Sequence, residues 1–278
     1  MDSGQSGAAM DQPIASAFGE QAFAYRDYLA GPSGRLRQEI TWRRLSAFLE
    51  RFWNTASVPR SILDAGCGTG ELALRLAQIG YQVVLLDPAE EMLSLAQCHV
   101  KALRPPPAFP PQFLQGAVEE ATGLFEEGAF DLILCHFLVE YLPDPRPALA
   151  ALRHILRPEG YLSLITVNRR QEPLRLAIRD QKFPEALEAL THTASSDSLF
   201  GVRRGAFERE ELHTILQKAE FEVVEDGGIA IFIDYLAKEV INDRAAFESL
   251  LNLEEEGGKH HPWKDVARYL HLFARNTS

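Results

Sequence analysis

The sequence predicts a doubly wound α/β fold, and three features carry that expectation. From Ser61 onward, short apolar runs alternate with amphipathic helical stretches, the pattern of a parallel sheet flanked by helices. A glycine loop, ILDAGCGTGEL, lies directly between the first apolar run and the first of these helices. The second run, VVLLD, ends on Asp87, 23 residues after Asp64, where a strand-end acid meets a ligand in such sheets.

The elements follow in order. Residues 1–13 are small and polar and read as a disordered tail. Residues 15–29 and 34–53 read as two helices broken at Gly31 and Pro32; the second places Leu36, Ile40, Leu45, Phe48 and Leu49 at helical spacing. Together, over 14–54, they form an N-terminal helical cap. The α/β core over 55–168 opens with strand SILD, helix ELALRLAQIG, strand YQVVLLD and helix PAEEMLSLAQCHVKAL. After the Pro-rich loop RPPPAFPP come FLQG and DLILCH as strands three and four, helix PALAALRHIL, and GYLSLITVN as strand five. Residues 169–205 are polar, weakly periodic and too long for a plain connection, so they read as a substrate-side insertion. Residues 206–278 complete the same core with helix REELHTILQKAE, strand-like FEVVEDG and IAIFIDY, helix AAFESLLNLEEEG and a final strand ARYLHLFAR.

Composition narrows the class. With 278 residues, 46% apolar and 24% charged, the chain is ordinary globular protein, neither disordered nor collagenous. Its 28 lysines and arginines against 39 acids give a formal charge of −11, whereas dedicated nucleic-acid binders are usually basic, so any RNA contact requires a local patch. Cys67, Cys98 and Cys135 are spaced for neither a zinc site nor a secreted disulfide framework, which predicts no metal and a reducing, cytoplasmic location. The N-terminus has no signal-peptide pattern, and no run approaches the roughly 18 apolar residues of a membrane span.

The glycine loop is the sharpest feature. Gly66, Gly68 and Gly70 let the backbone turn tightly and approach a ligand closely. Asp87 offers two carboxylate oxygens, enough for both ribose hydroxyls of an adenosine. The spacing is GxGxG where a dinucleotide loop would be GxGxxG, and Glu71 at the helix start repels a pyrophosphate, so nicotinamide cofactors are disfavoured.

The segment DAGCGTG followed by Asp87 resembles the motifs of the class I S-adenosylmethionine-dependent methyltransferases. The resemblance implies a Rossmann-like, seven-stranded sheet with an antiparallel last strand, and S-adenosylmethionine as cofactor. It assigns cofactor contacts to Asp64, Gly66, Cys67, Gly68, Gly70 and Asp87. Met92 would pack on the adenine face or serve only as helix core, and Val118 and Glu119 sit where the family holds the adenine edge. His136, ending the fourth strand, would line the methyl-transfer chamber and is the catalytic candidate.

A longer resemblance covers residues 23 to 275. GRLRQEITW, DLILCHFLVEYLPDPR, TVN at 166–168, FIDYL at 232–236 and ARYLH at 267–271 look like the bacterial tRNA 5-carboxymethoxyuridine methyltransferase family. This implies methylation of the carboxylate on a modified wobble uridine, with Arg37 holding the cofactor's carboxylate; a guanidinium on a cap helix offers the planar fork for it. The insertion departs from the family's lysine-rich pattern, with seven arginines and lysines against five acids over 169–205. Arg169, Arg170, Arg203 and Arg204 are candidates for a phosphate-binding rim, and Tyr25, Arg26, Asn168 and Tyr235 for substrate placement. A carboxylate acceptor is already ionised and requires no general base, whereas an alcohol or phenol would call on His136. A small-molecule acid, alcohol or phenol and a non-catalytic adenosyl-binding module remain the alternatives to tRNA.

Overall fold

The computed structural model describes residues 12–53, 60–191, 196–197 and 203–277. Most of the expected N-terminal tail lies outside these residues, and α1 (Gln12–Glu20) begins within its last two positions. The expected first cap helix is divided at Gln21 into α1 and α2 (Ala22–Ala30), and α3 (Pro32–Trp53) follows directly after Gly31. Proline at the first helical position starts α3, because its missing N–H would have had no helical partner there.

Seven strands form the main sheet: β1 (Ser61–Ala65), β2 (Gln82–Asp87), β3 (Gln112–Gln115), β4 (Phe130–His136), β5 (Leu156–Val167), β6 (Phe221–Ile229) and β7 (Tyr269–Asn276). Their order is β3-β2-β1-β4-β5-β7-β6. The first five are parallel, and β7 runs antiparallel between β5 and β6. The seven-stranded sheet with its reversed final strand is the one the family resemblance implies. The chain leaves β1 toward β2 and β3, then returns to β4 on the other side, which opens a crevice at the carboxyl ends of β1 and β4.

Both faces of the sheet are covered, so the strands alternate between two apolar layers. Ile133, Leu162, Leu164, Leu270 and Leu272 pack against α6 (Pro145–Ile155) and α8 (Arg209–Lys218). Leu132, Leu134, Leu85 and Phe273 face α3, α4 (Glu71–Gln78) and α5 (Glu90–Ala102) through Leu45, Phe48, Leu76 and Ala96. Phe48 of α3 stacks on Phe273 of β7, with ring centroids 4.1 Å apart. At the other end of α3, Leu36 and Ile40 join Ile165, Ile229 and Leu250. One helix is thereby anchored in the core at one end and set across the crevice at the other.

The insertion carries α7 (Phe183–Ala189), and Arg203–Arg204 pairs antiparallel with Ser196–Asp197. The expected strand IAIFIDY is not one: β6 ends at Ile229 and Ile233–Tyr235 is a 3₁₀ turn. The reason is Glu254 on α9 (Arg244–Gly257), whose fully buried carboxylate accepts the backbone N–H groups of Ile231, Phe232 and Ile233 at 2.6, 2.9 and 2.9 Å. Those three donors are lost to any strand ladder. Glu254→Ala would leave them buried without an acceptor, and urea unfolding should show a loss of about 2–4 kcal/mol; an unchanged midpoint would contradict this role.

Candidate active site

The loop after β1 is tied to the end of β2. Gly66 and Cys67 donate their N–H groups to the carbonyl of Leu86 at 2.8 and 3.1 Å, and Gly68 donates to Oδ2 of Asp87 at 2.8 Å. Oδ1 of Asp87 accepts the Ala89 N–H at 2.9 Å. Gly66, Gly68 and Gly70 have φ of 72°, 54° and 76°, the left-handed region that a side chain disfavours. The loop and the carboxylate are thus one unit, with further lone pairs of Asp87 facing the cavity beside it.

That cavity has a main chamber of about 510 Å³ and an adjoining lobe of about 80 Å³. Tyr25, Arg37, Gly66, His136 and Phe137 border both. Asp87, Met92, Phe18 and Tyr141 line the main chamber, while Asp64, Cys67 and Glu71 line the lobe. Burial, with the charges of Asp87 and Glu71 added, pushes the Asp64 carboxyl up to about 7. Burial likewise lifts Asp87 to about 6, against the lowering effect of its two backbone hydrogen bonds. A group of carboxylates facing one small lobe favours a cation there.

Arg37 stands where chamber and lobe meet. Its residue is 7% exposed, yet no carboxylate of the described residues lies within ion-pair distance of it. Nη2 donates to the Tyr25 hydroxyl at 3.0 Å. The guanidinium carbon lies 4.3 Å from the Phe137 ring centroid and 5.1 Å from that of Tyr28. Phe137 holds that position with φ of 56°, a strained conformation for a bulky residue that tends to occur at functional sites. A buried guanidinium supported by aromatic faces and lacking an acid suits a ligand carboxylate.

On the opposite side, burial pushes His136 down to about 3, the charge of Arg37 adding to it, so the imidazole is neutral. Burial raises Glu140 to about 7; its Oε2 accepts from Thr166 at 3.0 Å, and its Oε1 is sealed in without a partner. Beyond them the chamber is lined by Arg175, Arg179, Lys182, Arg204 and Arg268. Arg175 is paired with Glu172 and Asp180, and Arg268 with Asp234.

A family model described as a methyltransferase domain matches residues 36–226. The chain belongs to the S-adenosylmethionine-dependent methyltransferases. It is 28% identical over 263 residues to a tRNA 5-carboxymethoxyuridine methyltransferase of Escherichia coli K12, covering 90% of this chain and 92% of that protein. A ubiquinone biosynthesis O-methyltransferase of Albidiferax ferrireducens is 34% identical over 119 residues, 43% of this chain and 46% of that one. Among solved structures, magnesium protoporphyrin IX methyltransferase from Synechocystis with bound S-adenosylhomocysteine superposes with a TM-score of 0.61 at 17% identity, over 95% of this chain and 98% of that one. A Burkholderia thailandensis 1,6-didemethyltoxoflavin-N1-methyltransferase gives 0.58 at 19% identity, over 100% and 94%.

The methyltransferase cavity fits its cofactor, S-adenosylmethionine. Arg37 has the buried, acid-free guanidinium that its carboxylate needs, the acids of the lobe suit its positive charge, and Asp87 suits its ribose hydroxyls. Met92, 1% exposed, is at once cavity wall and core, packed with Ala22, Phe18 and Tyr25.

The structure places several of the remaining candidate residues away from the cavity. Gly70 does not border the cavity; a Cβ there would lie 2.6 Å from Leu85, so its role is packing. Val118 belongs to the core under α6, and Glu119 beside it does not border the cavity. Of the four substrate candidates only Tyr25 lines the chamber. Arg26 is exposed and paired with Asp27 at 2.9 Å. Asn168 is buried, donating to the carbonyls of Asp265 and Ala267 and accepting from the Arg170 N–H, so it caps a turn. The Tyr235 hydroxyl is engaged by Gln171 at 3.1 Å, away from the chamber. Arg169 and Arg170 are tied to Glu208, Glu210 and Glu211 on α8 and its approach. The side chain of Arg203 lies outside the described residues, and Arg204 does line the chamber.

Asp64 and Asp87 make binding depend on pH with a definite sign. Their raised values mean that protons compete with the cofactor's positive charge and with its ribose hydroxyls. Affinity is therefore full above about 7 and falls as pH drops through 7 and 6. Calorimetric titration of S-adenosylmethionine should show binding weaker by about tenfold between pH 7 and 6 and falling more steeply below 6, where both groups take up protons, and Asp87→Asn should weaken binding by about tenfold at pH 8 and flatten that steeper fall. Affinity that rises on acidification would contradict the assignment.

Proposed function

We propose that this methyltransferase transfers its methyl group to a carboxylate oxygen of a carboxymethoxyuridine-type wobble nucleoside in tRNA. The observation that carries this reading is the acceptor side of the chamber. It is lined by Arg175, Arg179, Lys182, Arg204 and Arg268 against the acids Glu140 and Glu172, a cationic excess even with Arg175, Arg179 and Arg268 paired to Glu172, Asp180 and Asp234, and its histidine is neutral with a proton affinity far too low for a general base. Such a wall attracts an anion and does not deprotonate a neutral acceptor. The extended similarity to a tRNA 5-carboxymethoxyuridine methyltransferase over 90% of the chain supports the same acceptor.

S-adenosylmethionine supplies a methyl carbon on a cationic sulfur, displaced in line by a lone pair, and a carboxylate lone pair requires no proton to move. The protein's part is placement. Arg37 fixes one end of the donor and Asp87 the other, and the ring of Phe137 gives the chamber an apolar wall against the Arg37 guanidinium. Glu140, the raised acid on this side, borders the chamber, but one of its oxygens is engaged by Thr166 and the other is buried, so neither is openly presented as a base.

Neutralisation of Arg169 and Arg170 by acids of α8 favours a second reading, a small carboxylic acid entering the same chamber. Labelled S-adenosylmethionine incubated with total tRNA and with a panel of small acids separates the two. Base-labile label in the tRNA wobble nucleoside is expected; label only in a small acid would overturn the tRNA reading. Arg179→Ala with Lys182→Ala should weaken tRNA binding by about tenfold at low salt and reduce the slope of affinity against salt, leaving cofactor affinity unchanged. An unaltered salt slope would remove these side chains from the interface.

A further inference from the structure

A buried polar chain crosses the sheet beneath the cavity and ends on the chamber histidine. Arg44, on the same face of α3 as Arg37 and two turns further along, donates from Nε to Nδ1 of His271 at 3.2 Å. Nε2 of His271 lies 2.9 Å from Oγ of Ser163, and that oxygen lies 2.8 Å from Nε2 of His136. The three side chains come from neighbouring strands β7, β5 and β4 and share the sheet face toward α3, since His136 and His271 both register with Ile165, two residues from Ser163. Ser163 and His271 are fully buried and Arg44 is 6% exposed. At Gly227, the register partner of His271 on β6, a Cβ would lie 2.3 Å from the Arg44 guanidinium, so the sheet leaves a gap in which the guanidinium sits.

The direction of every hydrogen bond in this chain follows from its first member. A guanidinium only donates, so Nδ1 of His271 must accept, and a neutral His271 then carries its proton on Nε2. That proton goes to the Ser163 oxygen. Among the described residues the Ser163 hydroxyl has no other acceptor within reach, so its own proton goes to Nε2 of His136. If His136 instead donated from Nε2, the serine proton would be orphaned in a fully buried site. His136, neutral, therefore carries its proton on Nδ1, a nitrogen with no hydrogen bond to the described residues, on a ring that borders both parts of the cavity.

We infer that Arg44, His271 and Ser163 are positioning residues that hold His136 in one tautomer and aim its Nδ1–H at the methyl acceptor. The ring nitrogen facing the chamber is a donor. It orients an acceptor oxygen that is already ionised and offers no lone pair to take a proton from a hydroxyl, so the sheet itself selects a carboxylate over an alcohol or phenol. Only this last step, the acceptor class, rests on the carboxyl-transfer reading proposed above; the tautomer does not.

The test is a long-range proton–nitrogen spectrum of the full chain with isotopically labelled histidine nitrogens, the His136 signals assigned by their loss in His136→Gln. The expected wild-type result is His136 protonated on Nδ1 and His271 protonated on Nε2, both unchanged between about pH 6 and 8. In Ser163→Ala the His136 proton should redistribute toward Nε2, and kcat with cellular tRNA should fall about tenfold while cofactor affinity stays the same. A wild-type His136 protonated on Nε2 overturns the inference, as does a Ser163→Ala spectrum identical to wild type. Absence of tRNA methylation by the wild type would instead overturn the tRNA reading and leave the tautomer result standing.

Discussion

A guanidinium buried without an acid organises this molecule. Arg37 sits on a helix whose far end is locked into the core by Phe48 and Phe273, and its charge is turned toward the crevice that the strand order opens. Burying a charge is costly unless a partner completes it. Here hydrogen bonding to Tyr25 and the faces of Phe137 and Tyr28 make the burial tolerable, and the partner is left to the ligand. The cap therefore does more than cover the sheet: it brings a buried guanidinium to the cavity beside the glycine loop and Asp87, where it suits the donor's carboxylate.

The two halves of the cavity then differ in sign for separate physical reasons. At the donor end, Asp64 and Glu71 line the small lobe and Asp87 the chamber beside it; burial raises the proton affinity of both aspartates, with the charges of Asp87 and Glu71 adding to it at Asp64, and the three acids suit a cationic ligand. At the acceptor end, the insertion and the start of β7 contribute Arg175, Arg179, Lys182 and Arg268. Between them stands a histidine that burial and Arg37 keep neutral. In the proposed reading an anion is drawn past that neutral histidine to the face of the donor's positive carbon.

Much of this was legible in the sequence, and the part that was not has a common cause. The strand–glycine–helix unit and the acid at the end of β2 are local features, so DAGCGTG and Asp87 marked the fold and the donor end directly. Strand alternation likewise located His136 at the end of β4. Partner choice is not local. Arg169 and Arg170 look like a phosphate rim until α8 brings Glu208, Glu210 and Glu211 against them, while Arg175, Arg179 and Lys182 in the same insertion turn to the chamber. Asn168 and Tyr235 are polar residues consumed by a turn cap and by Gln171. Phe137 and Tyr269, whose rings close the space around Arg37, carry no signal beyond being aromatic at strand ends. IAIFIDY failed as a strand because Glu254, 21 to 23 residues away in sequence, claims the N–H groups of Ile231, Phe232 and Ile233.

Whether Arg37 is the receptor for the donor's carboxylate is tested most directly by a crystal structure of the protein with S-adenosylhomocysteine. The carboxylate should lie within hydrogen-bonding distance of the Arg37 guanidinium, with the ribose hydroxyls on Asp87. A complex in which Arg37 instead pairs with a carboxylate of the protein, and the ligand's carboxylate is held elsewhere, would contradict that role.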